Sequence, residues 1–172
     1  MGRSTVSRKG KAHPMDSFEF IIRLNLIGTF SVLSKCAAWM CKNTPDENGE
    51  RGTIINVASV AAFDGQNGQA AYSASKAGVV GMALPIARDL GTRGVRINTI
   101  CPGIMATPLT AAFDKPGPGS RIGDSLKKAQ VFPTDRFGVP SEFAALVKFL
   151  VESPIMNAES VRFDGGIRMP KL

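Results

Sequence analysis

The chain of 172 residues has one histidine, one tyrosine, one tryptophan and three cysteines. Each shortage closes a route. His13 is the sole imidazole and lies in a basic opening segment, so zinc catalysis and Ser-His or Cys-His nucleophilic schemes lack their usual base and ligands. No metal site is expected, and any proton chemistry falls to another side chain. Cys36, Cys41 and Cys101 are odd in number, no signal peptide is readable, and the Cys36–Cys41 spacing is not that of a zinc knuckle. A reducing compartment is therefore the default, without a disulfide framework. No uninterrupted apolar run approaches the ~18 residues that mark a membrane span, so none is expected. Repeats and low-complexity tracts are also missing.

What is present reads as one globular domain: 44% of residues are apolar and 20% charged. The net charge of +7 is uneven, because Arg3, Arg8, Lys9 and Lys11 all precede the first acid, Asp16. Such a start suits a nucleic-acid arm or a targeting presequence. The plainer reading is that residues 1–14 are a flexible, solvated terminus. No aromatic residue is interleaved with these charges, so stacking on bases gets no support.

The order of elements suggests an α/β fold. From Asp16 to about Lys42, Phe18, Ile22, Asn25, Thr29, Val32 and Cys36 recur at helical steps, with Leu26, Phe30 and Leu33 widening the stripe. "TIINVAS" (Thr53 to Ser59) reads as a buried strand, and a helix over Ala71 to Leu90 follows, bent by Pro85. "GVRINTI" (Gly94 to Ile100) is a second strand. The segment with "DKPGPGS" (Asp114 to Ser120) is expected to be irregular. A helix capped by Ser141 runs to before Pro154, and "ESVRFDGG" supplies a last strand and turn. With only three strands, the chain looks like part of a larger parallel sheet.

The chemistry concentrates in "GQAAYSASKAG" (Gly68 to Gly78). Tyr72 and Lys76 are four residues apart on one helix face, among small neighbours. A phenol is a poor acid or base at neutral pH, and an adjacent ammonium favours its ionised form. So tuned, a tyrosine can exchange a proton with a substrate oxygen. The same pair also occurs as an ordinary amphipathic contact, and the spacing alone does not decide. Ser59, at the carboxyl end of the first strand, stands where open parallel sheets hold ligands. Asn25 is a polar residue on an otherwise apolar stripe: a kink, an interface contact, or a residue that fixes a water near the lysine.

Taken together, Ser59, "YSASK" (Tyr72 to Lys76), "NLIGTF" from Asn25 and "CPG" (Cys101 to Gly103) resemble the short-chain dehydrogenase/reductase family. "INVASVAAFDGQNGQ", "LPIARDL", "PTDRFGVPSEFAALV" and "RFDGGIRM" extend the likeness to members acting on 3-hydroxyacyl-CoA and hydroxysteroids, over about Asp16 to Met169. The resemblance implies a Rossmann-type doubly wound sheet and NAD as cofactor, with an acyl-CoA or steroid alcohol as substrate. It also implies a homotetramer, a mitochondrial location and participation of relatives in a tRNA-processing complex. By the same resemblance Tyr72 is the acid/base, Lys76 assists it and binds the nicotinamide ribose, Ser59 orients the substrate and Asn25 holds a relay water. Gln66 would face the substrate. Pro102, Gly103, Ile104 and Thr107 would meet the nicotinamide end of the cofactor, and Met105 to Ser120 would cover the acyl chain.

The glycine-rich turn that receives the pyrophosphate in this family is not readable: Gly2 and Gly10 follow no strand, and Gly65 and Gly68 follow the strand ending at Ser59. The expectation is one partial Rossmann-type domain over 1–172, holding the strand 5-6-7 edge of the family sheet without its N-terminal nucleotide-binding units. Weak NAD binding by this chain follows. The alternative function is a catalytically inactive binding or assembly component.

Overall fold

The computed structural model describes residues 3–113, 118–132 and 134–168. Helix α1 (Met15–Ile22) runs through a π-helical turn (Arg23–Ile27) into α2 (Gly28–Met40). Strand β1 (Gly52–Val57), helix α3 (Ala70–Gly91) and strand β2 (Val95–Pro102) follow. Helices α4 (Pro118–Lys128) and α5 (Pro140–Glu152) precede strand β3 (Ser160–Phe163). The sheet is parallel, in the order β1-β2-β3.

The central strand β2 is closed off on all sides, with Val95, Ile97, Asn98, Thr99, Ile100 and Cys101 at 0% exposure. Both faces of a central parallel strand are covered, which is why it reads as a near-continuous apolar run. β1 is an edge strand, and its Val57 is 46% exposed. Helix α3 turns Ala71, Ser75, Val79, Ala83 and Ala87 inward at steps of four, with Ile86 beside them. Small residues let neighbouring helices come close: a Cβ on Gly78 would meet Leu26 Cδ2 at 2.8 Å. Pro85 sits on the exposed side of α3, where loss of one N–H is tolerated without breaking the helix.

Several expectations need correction. Of the predicted stripe on α1–α2, Val32, Phe30 and Cys36 face outward, while Leu33 and Ala37 are buried. The rod is apolar on both sides, so periodicity could not choose between 32/36 and 33/37. By length and composition the rod Met15–Met40, mean hydropathy 1.4, is also apolar enough to cross a membrane; core helices and signal sequences pass the same test. It packs on α3 through Leu26 and Leu33. Pro118 to Ser120 open α4 rather than continuing a loop, consistent with proline's preference for a first helical turn; Asp114 to Gly117 lie outside the described residues. Helix α5 begins at Pro140, not at a Ser141 cap: the Glu142 carboxylate accepts from the Val139 N–H at 2.8 Å.

Arg96 fastens the amino end of β2. Its Nε and Nη2 meet Glu50 Oε1 at 2.8 and 2.7 Å. Nη1 donates to Leu150 O (3.0 Å) and Met156 O (2.8 Å), and Nη2 to Val151 O (2.9 Å). One guanidinium thus satisfies the last carbonyls of α5 and ties that helix to the sheet. The basic start is folded back: Ser7 N–H donates to Lys11 O and His13 N–H to Thr5 O, around a turn at Gly10 (φ +73°).

Candidate active site

The carboxyl ends of β1 and β2 open into a cleft of ≈ 660 Å³, at the position expected for ligands of open parallel sheets. Ser59 lies two residues past β1 in extended conformation, and its Oγ accepts from Ala61 N–H at 3.1 Å, capping the 3₁₀ turn Val60–Ala62. That bond uses one lone pair and leaves the hydroxyl hydrogen available to a ligand in the cleft.

Tyr72 stands in the first turn of α3 and shares the cleft wall with Ser59. One turn later, Lys76 Nζ donates to Val57 O at 3.0 Å and lies 5.8 Å from the Tyr72 ring centroid. Burial pulls the Lys76 ammonium below its usual value, with the nearby Cys101 opposing. Cys101 itself is fully buried and its thiol is pushed up, chiefly by burial. It is an inert packing group rather than a nucleophile.

Asn25 falls inside the π-helical turn, an element common at functional sites. Its Nδ2 donates to Ser75 Oγ at 3.2 Å, and Ser75 Oγ donates to Tyr72 O at 2.7 Å. Thr29 Oγ1 donates to the Asn25 main-chain carbonyl at 2.6 Å. A short polar chain through fully buried Ser75 therefore joins the π turn to the Tyr72 backbone. Ser75 was not singled out in the sequence; its place one turn below Tyr72 and opposite Asn25 is visible only in the packed pair of helices.

Among the expected cofactor residues, Gly103, Ile104 and Thr107 line the cleft, whereas Pro102 ends β2 behind it. Gly103 has no room for a side chain, since a Cβ would come within 2.9 Å of Asp164 Cα. Gln66 is not in the wall; its N–H donates to Gln69 Oε1 at 2.9 Å, and it is Gln69 that faces the cleft. Of the segment Met105 to Ser120, Met105, Leu109, Thr110 and Phe113 line the cleft, and residues 114–117 lie outside the described residues. Arg3 and His13 also reach the cleft, with Arg3 N–H donating to Gly68 O at 2.9 Å. No spacing rule could have placed these two there. Asp64, on the same wall, is held by Arg162 Nη2 at 2.6 Å, and Arg162 also bonds Asp164 and Ile167 O.

Known proteins resemble this chain in sequence and fold. A family model described as short chain dehydrogenase matches residues 2–116, a span that includes the basic start. The 3-hydroxyacyl-CoA dehydrogenase type-2 of Drosophila melanogaster is 51% identical over 161 residues, 94% of this chain and 61% of its own length. The Homo sapiens protein of that name is 48% identical over 162 residues, 94% of this chain and 60% of its own. A crystal structure of 3-hydroxyacyl-CoA dehydrogenase type-2 from Mycobacterium avium superposes with a TM-score of 0.89 at 38% identity, covering 99% of this chain and 63% of that one. A 4-hydroxyisoleucine dehydrogenase complexed with NADH gives a TM-score of 0.74 at 27% identity, over 88% of this chain and 59% of that one. The chain spans about three fifths of the length of the curated relatives it matches. With the parallel sheet, the tyrosine and lysine one turn apart and the serine beyond β1, these matches place the chain in the short-chain dehydrogenase family.

Proposed function

We propose that the protein is an NAD-dependent oxidoreductase interconverting 3-hydroxyacyl-CoA and 3-ketoacyl-CoA. The observation that carries this is the shared cleft wall of Ser59 and Tyr72, with Lys76 one turn from Tyr72 and anchored on Val57 O. The names of the relatives support the substrate class, and the NADH complex of a structural neighbour supports the nicotinamide cofactor.

The cleft wall fits such a group: Gly103, Ile104 and Thr107 line it together with Tyr72. The cofactor, when bound, supplies or accepts the hydride. The chain's own residues handle the oxygen. Ser59 Oγ–H donates to the substrate carbonyl and holds it at the phenol. Tyr72 gives that oxygen a proton during reduction, or takes one during oxidation. Lys76, with its positive charge beside the ring, favours the charge left when the proton departs. Asn25 and Ser75 keep the Tyr72 turn in place through their hydrogen-bonded chain.

A second reading, a non-catalytic binding or assembly component, is favoured by one observation: among the described residues, no glycine forms the strand–turn–helix phosphate cradle of the family. Titration with NADH separates the two, since micromolar binding favours the enzyme. Acetoacetyl-CoA reduction, followed by NADH absorbance, tests the mechanism. Tyr72→Phe should lower turnover by about 10²–10⁴-fold and leave NADH binding intact. Turnover unchanged in Tyr72→Phe overturns the proposal. Activity on steroid alcohols, a homotetrameric assembly, a mitochondrial location and a part in tRNA processing rest on family resemblance and belong to the same proposal.

A further inference from the structure

The proton chemistry of the cleft uses none of the four cations that open the chain, yet the segment carrying them is built onto its rim. Residues 5–13 fold as a hairpin: Val6 pairs with Ala12 in an antiparallel bridge, Ser7 N–H donates to Lys11 O at 2.8 Å and Gly10 N–H to Ser7 O at 2.9 Å. Lys11 N–H also donates to Ser7 Oγ at 3.0 Å, which closes the turn. At the base, Arg3 N–H bonds Gly68 O, four residues before Tyr72, and both Arg3 and His13 line the cleft. The hairpin is thus fixed to the loop leading into α3, with Arg8 and Lys9 at its exposed tip and Lys11 on its return arm.

The charges at this rim are unbalanced. Among the described residues, Arg3, Arg8, Lys9 and Lys11 make no ion pair. Asp64 is the one acidic residue of the cleft lining, and Arg162 engages its carboxylate, so it does not cancel Arg3. Gln69 adds donors to the same stretch of wall. Its Oε1 accepts from Gln66 N–H at 2.9 Å and its own N–H donates to Gln66 O at 3.0 Å, which orients the amide. The Nε2 hydrogens have no partner among the described residues, and Nε2 is not enclosed, so a ligand can reach it. A guanidinium beside amide donors recognises an oxyanion, and the planar arginine fork matches phosphate.

We propose that Arg3 and Gln69 form an anion subsite at the rim of the cleft that holds a phosphate of a CoA carrier, with Arg8, Lys9 and Lys11 continuing the positive surface along the hairpin. The inference rests on the 3-ketoacyl-CoA reading and adds the residues that select that substrate. A carboxylate on a small substrate needs one cation, whereas here cations continue from the cleft rim to the hairpin tip, as suits a carrier with several phosphates. A steroid alcohol brings no charge and gains nothing from them. The unpaired cations therefore favour the acyl-CoA over the steroid and steer it to the cleft.

The test measures binding by calorimetry in the full 172-residue chain without cofactor, so that no turnover enters. The probes are acetoacetyl-CoA, S-acetoacetyl-pantetheine, which keeps the acyl group and the arm but has no phosphate, and acetoacetate, whose anion is a carboxylate. Acetoacetyl-CoA should bind about 5–20-fold more tightly than the pantetheine thioester. Arg3 is exposed and its tether to Gly68 O uses the main chain, so Arg3→Gln leaves the fold intact. That variant should cut the preference to about twofold or less, and Gln69→Ala should lower it in part. Salt at about 0.5 M should do to the wild type what Arg3→Gln does. A preference unchanged in Arg3→Gln overturns the proposal. So does an equal loss for the two thioesters, which marks a structural role for the hairpin, and a loss confined to acetoacetate, which puts a carboxylate on Arg3. Absence of saturable acetoacetyl-CoA binding by the wild type overturns it as well. The catalytic reading fails separately, on turnover: a preference that Arg3→Gln abolishes stands even if Tyr72→Phe leaves acetoacetyl-CoA reduction unchanged.

Discussion

The two ends of the sheet are built on different terms. At the amino end, Arg96 is almost fully enclosed and all its donors are used, on Glu50 and on the carbonyls of Leu150, Val151 and Met156. At the carboxyl end the polar groups are half-exposed and keep capacity in reserve: the Ser59 hydroxyl hydrogen, the Tyr72 phenol and an ammonium held against its burial. Satisfied groups lock a fold, whereas a site must retain unsatisfied ones for its ligand. The amino end is therefore where substitutions should cost stability, and the carboxyl end where they should cost function.

Arg96→Met tests the first half and should have the largest effect. It strands Glu50 and three carbonyls, and removing one partner of a buried ion pair costs about 3–5 kcal/mol. Urea denaturation measures it; a loss below about 1 kcal/mol would make Arg96 an ordinary surface pair. Arg162→Met is the matching substitution at the other end. Arg162 is 23% exposed, against 8% for Arg96, so the stability loss should be smaller, about 1–3 kcal/mol. Asp64 belongs to the cleft wall, so the apparent substrate affinity should fall as well. If Arg96→Met changed affinity in the folded protein as much as Arg162→Met does, the two ends would not differ in kind.

Lys76→Met sharpens the contrast with a smaller effect of opposite sign. Burial lowers the folded-state value of Lys76 below its usual 10.5. The charged form is thus penalised by folding, and the penalty is present at neutral pH. It is relieved as pH rises through the folded value towards 10.5. Lys76→Met should flatten that alkaline rise in stability and leave the neutral-pH melting temperature unchanged or slightly higher, while abolishing turnover. A melting temperature that drops sharply at neutral pH would show that the Val57 contact serves stability instead.

Much of the site was legible because it is local. Tyr72 and Lys76 are one helical turn apart, and Ser59 ends a strand whose β-branched run marks it as buried. The alternation of helices and strands gave the parallel sheet for the same reason. Asn25 was recognisable as a polar residue out of place, but not as part of a π turn, since the partner that explains it, Ser75, is fifty residues away. Arg96 read as one charge in a strand; its partners lie 46 to 60 residues distant and close only when α5 docks. Helix α4 was hidden because Pro118 and Gly119 look like loop chemistry, although proline is well tolerated in a first helical turn.

The smallest effect belongs to the Arg136–Glu142 pair, which is not enclosed like Arg96 and Glu50. Its side chains are 41% and 38% exposed. The Arg136 guanidinium and the Val139 N–H hold the Glu142 carboxyl down at about 2, against an ordinary 4.5. A depressed carboxyl contributes stability that is fully present above its unfolded value and is lost as pH falls through its folded one. The melting temperature of Glu142→Gln should therefore lie slightly below that of the wild type at pH 7. The gap should close between pH 4.5 and about 2, where the wild-type carboxyl takes up its proton. A gap that persists unchanged to the acid end of that window would mean that the α5 cap works through hydrogen-bond geometry alone, and that charge at this corner of the fold is incidental.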